Sequence, residues 1–337
     1  MDVGRPDSVR PGIGLTGFVQ NQAGPRLAPP SVASGSSQPG PSGLLDGGAR
    51  AVLDGIVPLL SAGRLALLTG AGVSTDSGIP DYRGPNAVPR QPVTYQEFVG
   101  SEPLRRRYWA RNHIGWARMR QASPNAGHVA VAAMEAAGYL TGVITQNVDR
   151  LHEDAGARNV VDLHGRFDNV VCLRCGEVYT RAFIAVVLNE LNPGFVEAVA
   201  AVGGAEAGPD ADADLEHEQL IDSFRVACCP LCGGMLKPDF VFFGENVPKD
   251  RVEQAFEILD SAALLLVAGS SLTVMSGLRF VRKAVKDGKP VVIINRGATR
   301  GDGLARVKLE AGASESLGYL LERLAGGLAQ QTNHRVQ

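Results

Sequence analysis

Four of the chain's five cysteines stand in two near-identical knuckles, Cys172-Leu-Arg-Cys175-Gly176 and Cys229-Pro-Leu-Cys232-Gly233. The Cys-x-x-Cys spacing lets backbone amides point at the thiolates, and two such pairs supply the four soft ligands of a closed tetrahedral Zn2+ site. Four sulfurs leave no position for water or substrate, so the one ion expected here is structural. Cys228 lies next to the second knuckle and pairs with Cys232 at a longer spacing; only Cys229 repeats the first knuckle, and Cys228 is expected to be a spare thiol. Two disulfides are the competing reading. The amino terminus weakens it, carrying Asp2, Asp7 and no apolar core, so a secretory leader is not expected.

A second concentration of chemistry follows the apolar run Leu65-Ala-Leu-Leu-Thr69, where Gly70-Ala-Gly72 opens a stretch of hydroxyls ending in Asp81, Tyr82 and Arg83. A glycine turn at the carboxyl end of a parallel strand is where open α/β sheets bind phosphates. The dinucleotide fingerprint is nevertheless broken: Thr75 stands where the third glycine belongs, and no acidic residue lies about 20 positions on. Four further apolar runs end in polar residues. Gly142–Gln146 leads into Asn147-Val-Asp149 and His152; Asn159–Leu163 into His164; Ala263–Val267 into Gly269-Ser-Ser271; Pro290–Ile294 into Asn295-Arg-Gly297. Histidine at a strand end suits general-base work near neutral pH; taken alone, a core histidine with its nitrogens satisfied is the favoured reading.

The elements that position these residues follow from pattern. Ala51 to Leu60 has helical spacing, as do Leu278 to Val285 and a stretch from Phe98 to Met119; Ser123-Pro124 and Gly138 bracket a helix over Asn125–Ala137. Strand, polar turn and helix in repetition predict an α/β fold with a doubly wound parallel sheet. The Phe98–Met119 helix carries Arg105, Arg106, Arg107, Arg111, Arg118 and Arg120 among aromatics and is expected to show a solvated basic face; Asp210–Glu218 is expected to be a solvated acidic loop. Of 337 residues, 33 are basic and 35 acidic, giving a net charge of −2 and no global attraction to nucleic acid or anionic membrane. The longest apolar run, Ala262–Ala268, is far short of the roughly 20 residues a membrane helix needs. No membrane partner and no specific nucleic acid are expected.

The motifs taken together resemble one family. Gly70-Ala-Gly-Val-Ser74, Ser77 to Arg83, Thr145-Gln-Asn-Val-Asp149, Leu163-His-Gly165, the two knuckles, Lys237 to Glu245, Gly269-Ser-Ser-Leu272 and Asn295 occur in the order found in sirtuins, the NAD-dependent protein lysine deacylases. The resemblance covers about residues 50–320. The segment from Arg107 to Trp116 and the form of the opening loop are most similar to the class II branch. Such enzymes transfer the acyl group of acyl-lysine to ADP-ribose and release nicotinamide; mono-ADP-ribosyl transfer to protein from the same site is the alternative activity.

The resemblance also implies roles. His164 would be the general base, while Asn147 and Asp149 hold the nicotinamide carboxamide and Gln146 faces the adjacent ribose. Gly70, Ala71 and Gly72 would bring backbone amides to the diphosphate, with Asp81, Tyr82 and Arg83 on a loop over the cofactor. Ser270 and Asn295 would meet the adenosine half, with Gly269, Ser271, Gly297 and Ala313 completing the NAD contacts. Val241, Phe242, Phe243, Gly244 and Glu245 would pair with the backbone of an acylated-lysine protein substrate. The fold it implies is Rossmann-like, with a smaller inserted zinc-binding module and a helical lid: a flexible tail (1–48), an NAD-binding domain (49–84, 122–165 and 238–325), a lid (85–121), a zinc module (166–237) and a flexible end (326–337). A cytoplasmic monomer is expected.

Overall fold

The structure is a computed structural model and describes residues 45–82, 91–205, 208 and 210–335. The expected tail, up to residue 44, and Arg83 lie outside the described residues. Six strands form one parallel sheet in the order β3-β2-β1-β7-β8-β9: β1 (Leu65–Thr69), β2 (Leu140–Thr145), β3 (Val160–Asp162), β7 (Leu264–Ala268), β8 (Val291–Ile294) and β9 (Val307–Leu309). With the three strands of a second sheet left aside, this is the doubly wound order 3-2-1-4-5-6. Strand order reverses between β1 and β7, so Gly70 and Gly269 stand side by side at the crevice.

Helices cover both faces, which is why β1 and β7 are buried along their whole length and read as unbroken apolar runs. One face packs α1 (Gly47–Ser61), α4 (Ala126–Ala136) and α11 (Ala313–Arg335), with Leu53, Met134 and Leu320 in the core; the other packs α9 (Lys249–Asp260) and α10 (Met275–Lys286), with Leu259 and Phe280. Asp46 caps α1, its carboxylate accepting from Ala49 N. Helix α11 runs through the expected flexible end as far as Arg335.

The chain leaves the large sheet after β3 and enters an antiparallel sheet of order β5-β4-β6, from β4 (Gly165–Cys172), β5 (Val178–Thr180) and β6 (Leu236–Phe240). Helices α6 (Arg181–Leu191), α7 (Phe195–Ala201) and α8 (Glu218–Ser223) complete this module. It shares a core with α2 (Tyr95–Gly100) and α3 (Glu102–Met119), joining Phe98, Trp109 and Ile114 to Val170, Ile184 and Leu236. The single helix expected over Phe98–Met119 is therefore two: Ser101 is extended and its hydroxyl caps α3 by accepting from Leu104 N. The cap of α4 is likewise corrected, from Ser123-Pro124 to Asn125, whose Oδ1 accepts from Gly127 N and His128 N. Gly138, at φ +82, ends that helix as expected.

The two charged runs are corrected as well, because they meet each other. Arg107 pairs with Glu218 at 2.6 Å and Arg111 with Asp212 at 2.8 Å, while Arg106 donates to the Asp222 carbonyl at 2.9 Å. Ala211, Ala213 and Leu215 are buried, and Gly115 of α3 leaves the space in which the Ala211 carbonyl lies. Acidic residues alternate with small apolar ones that pack on α3, so the first half of the run is a packed strap while Asp214 and Glu216 to Glu218 stay exposed; of the basic face, Arg106, Arg107 and Arg111 are paired and Arg118 and Arg120 remain exposed as expected. Among the described residues no single helix is long and apolar enough to cross a membrane.

Candidate active site and metal centre

The carboxyl ends of the large sheet open onto a cavity of about 680 Å3, within the range of small-molecule sites. Gly70, Ala71, Gly72, Asp81 and Tyr82 line it from β1 and its loop; Gln146, Asn147 and Asp149 from β2; His164 from β3. Gly269, Ser270, Ser271, Asn295 and Gly297 come from β7 and β8, and Val241, Phe242, Phe243, Gly244 and Glu245 from the segment after β6. Ala313 lines an adjoining recess with Gly72, Asn295 and Arg296. The turns at the crevice touch: Gly72 N donates to the Gly269 carbonyl at 2.9 Å, and a Cβ on Gly70 would stand 2.8 Å from Ser270 Cβ. Gly269 has φ +63, where a side chain is strained.

Ser74 is the hub of the polar wall. Its hydroxyl donates to Asp149 Oδ2 at 2.6 Å and accepts from Asn147 Nδ2 at 3.0 Å. The second hydrogen of Asn147 Nδ2 goes to the Gly70 carbonyl at 3.1 Å, which leaves Oδ1 as the atom Asn147 offers a ligand. Leu151 N holds Asp149 Oδ1 at 3.0 Å. Behind Ser74 lies His128, whose Nδ1 accepts from Asn125 N at 3.3 Å, so that Nε2 carries the proton and faces Ser74 Oγ at 3.5 Å. His152 sits 4.9 Å from it, ring to ring, with Nε2 at 3.0 Å from Thr69 Oγ1. The sequence motifs contain Ser74, but its part in joining two strand ends has no signature in spacing.

Burial sets the protonation of these groups. It raises the carboxyl of Asp149 above the usual carboxylate range, opposed by the bonds from Ser74 and Leu151. It lowers His128 to about 4 and His152 to about 3, the latter also by the neighbouring His128. His113, buried against Phe195 and Phe224, falls to about 4 for the same reason. Each is neutral in the fold and takes up a proton in the unfolded chain below about 6.5. Stability is thus fully present above that pH and is lost as pH falls toward the depressed values, by about 2 kcal/mol per histidine at pH 5. The melting temperature is expected to drop several degrees between pH 7.5 and pH 5; a flat profile would contradict the buried neutral assignment.

His164 stands at the mouth of the module. Its Nδ1 faces the Gln146 carbonyl at 3.0 Å, and since a carbonyl only accepts, Nδ1 carries the proton and Nε2 keeps its lone pair. Burial, with Arg279 and Arg251 nearby, lowers it to about 4, so at neutral pH it is a proton acceptor. The adjacent Gly165 has φ +87 and packs on the Asp239 carbonyl; the Val241 amide donates to the His164 carbonyl at 2.8 Å. The Glu245 carboxylate is engaged inward, accepting from Lys237 Nζ at 3.0 Å and Phe242 N at 2.8 Å. Lys237, buried below the Phe242 ring, ties down the turn that carries Val241–Gly244, a role the sequence did not reveal.

The four knuckle cysteines lie together, all sulfurs within 4.8 Å of one another, Cys172 at 3.5 Å from Cys232 and Cys175 at 3.8 Å from Cys229. Tetrahedral Zn–S bonds of about 2.3 Å put sulfurs about 3.8 Å apart, so the donor set fits zinc. Cys228 is exposed and outside this group. The cavity suits a dinucleotide too, with glycine turns at the strand crevice and the amide, carboxyl and hydroxyl groups of Asn147, Asp149, Ser270 and Asn295 in its lining.

A family model described as "Sir2 family" matches residues 70–276. The chain is 55% identical over 270 residues to the NAD-dependent protein deacetylase 1 of Mycobacterium avium, covering 80% of this chain and 95% of that one. It is 54% identical to that of Streptomyces coelicolor, covering 80% and 89%. Among solved structures, one described as Sir2Tm bound to a propionylated peptide superposes with a TM-score of 0.63 at 32% identity, covering 82% of this chain and 98% of the other; a Sir2, p53 peptide and NAD+ complex gives 0.62 at 31%, covering 82% and 99%. The matched span begins at the glycine turn of β1 and takes in the strand ends that carry Ser74, Asn147, Asp149 and His164, the four cysteines, and the β7 turn, so the chain belongs to the Sir2 family.

Proposed function

We propose that this chain is an NAD-dependent protein lysine deacylase that transfers the acyl group of an acylated lysine to ADP-ribose. The observation that carries the reading is His164, fixed with an unprotonated Nε2 in the cavity that Asn147 and Asp149 also line. Close relatives are named as NAD-dependent protein deacetylases, and similar solved structures hold acylated peptide or peptide with NAD+. When bound, NAD supplies the electrophilic ribose carbon and the nicotinamide leaving group.

The chain does the rest. Gly70 and Gly72, with no side chains, would let the diphosphate come close to the backbone of the turn, Asn147 Oδ1 and Asp149 would orient the carboxamide, and Gln146 would face the ribose. Ser270 and Asn295, with Gly269, Ser271, Gly297 and Ala313, would hold the adenosine half, while Asp81 and Tyr82 would cover the cofactor. His164 Nε2 takes a proton from a hydroxyl. Val241–Gly244 pair with the substrate backbone by strand addition, and Glu245 shapes that segment through Lys237. Cys172, Cys175, Cys229 and Cys232 hold the zinc. We further assign the chain to the class II branch, acting as a monomer; its reduced knuckles suit a cytoplasmic setting.

The test is product identity. With NAD and an acetyl-lysine peptide, equimolar nicotinamide, free-lysine peptide and O-acetyl-ADP-ribose are expected by mass, and a panel of succinyl, lipoyl and long-chain acyl peptides ranks the acyl preference. Nicotinamide release with ADP-ribose on protein and no free-lysine peptide would overturn the reading in favour of ADP-ribosyl transfer.

A further inference from the structure

His164 has one lone pair with which to act as a base, and it is already taken. Nε2 lies 2.7 Å from Ser276 Oγ, and because Nδ1 carries the ring proton, the hydroxyl is the donor in this bond. A nitrogen lone pair accepts one strong hydrogen bond, so a substrate hydroxyl can reach Nε2 directly only by breaking this contact. The contact is built rather than incidental. Ser276 stands in the first turn of α10, half-buried in the cavity wall, and the next residue, Gly277, packs on Gln146: a Cβ there would lie 2.7 Å from Gln146 Nε2. Gln146 supplies the carbonyl that fixes His164 Nδ1, and its Oε1 accepts from Ser270 at 2.6 Å. One helix end thus grips the imidazole on one nitrogen and the residue that orients it on the other.

We propose that Ser276 relays the proton between a substrate hydroxyl and His164. The hydroxyl's O–H bond breaks as its proton passes to Ser276 Oγ, the Ser276 proton passes to Nε2, and the imidazolium that forms is held by the Gln146 carbonyl. One proton leaves the substrate oxygen, one arrives at Nε2, and Ser276 ends neutral. The charged groups facing His164 are Arg279 on α10 and Arg251 on α9, the latter paired with Asp239 of β6 at 2.9 Å. Both cations disfavour an imidazolium, and the Ser276 hydroxyl oxygen, able to accept from the protonated Nε2, opposes them.

This inference rests on the deacylase reading, and its test separates the two. In Ser276→Ala, turnover of an acyl-lysine peptide is expected to fall about 100-fold with little change in the KM for NAD, while Ser276→Thr, which keeps a hydroxyl, recovers most of it. The solvent isotope effect should change from a two-proton dependence on deuterium fraction to a one-proton dependence. A second arm needs no turnover: in the free protein, the 15N resonance of His164 Nε2 should move toward that of an unbonded imine nitrogen in Ser276→Ala and stay in place in Ser276→Thr. An alanine variant with unchanged or faster turnover would overturn the relay, as would an Nε2 resonance unmoved by the substitution. A wild-type protein without deacylase turnover would instead count against the proposed function, and the resonance would still decide whether Ser276 holds the base.

Discussion

His164→Ala is expected to lower deacylation by about 1,000-fold, within the 100- to 10,000-fold range typical of removing a general base, while leaving the fold and NAD binding in place. The geometry separates these effects. Asn147 and Asp149 are held by Ser74, Gly70 and Leu151, none of which touches the imidazole, so the carboxamide end of the cavity keeps its shape. What the variant loses is the single nitrogen that burial and two nearby arginines hold unprotonated at neutral pH. The measurement is a pair: turnover on an acyl-lysine peptide, and the rise in melting temperature on adding NAD. Lost turnover with a retained NAD shift supports the assignment; retained turnover would sink it. In the wild type the rate should fall with acid, because protonation consumes the lone pair, and the fall should lie below the ordinary histidine range.

Much of this site is legible in the sequence because a doubly wound sheet is a local code. Each buried parallel strand must be apolar on both faces, so Leu65–Leu68 and Leu264–Val267 stand out, and whatever polar residues follow them must face the same crevice. The broken fingerprint at Thr75 is legible only in hindsight: the segment after Gly72 forms two short turns, Ala71–Val73 and Thr75–Ser77, instead of the helix whose packing the third glycine serves. Other features depend on contacts between distant segments. A serine carries no periodicity, so neither Ser74 between two strands nor Ser276 on His164 is announced by its neighbours. The strap at Asp210–Glu218 reads as solvated when charges are counted alone; its alternating alanines matter only because Gly115 opens a slot in α3. Lys237 and Glu245 are close in sequence, yet their pairing follows from the return of the chain at β6.

Removing the zinc should cost more than any single side chain. Structural Zn2+ contributes on the order of 10 kcal/mol or more to folding, comparable to the whole stability of a domain. The knuckles sit where this acts on the module as a unit: Cys172 ends β4 in register with Leu236 of β6, and Cys229 is buried in the core that also holds Phe98, Trp109 and Phe242. Without the ion, four thiols are left crowded at one corner, and β4 and β6 lose the clamp that joins their ends. The damage should travel to the cavity along both crossings of the chain, since β4 begins next to His164 at Gly165 and β6 runs into the Phe240–Glu245 turn. Cys229→Ala, or chelation of the wild type, is therefore expected to remove one zinc per chain and to expose amides of β4, β5 and β6 to hydrogen exchange. Deacylation should be lost, while β1 and β7, buried between two layers of helices, remain protected. Cys228→Ala should change none of these. A Cys229→Ala protein that kept full zinc content, or lost it with module amides still protected, would show that the ion is not what holds the module together.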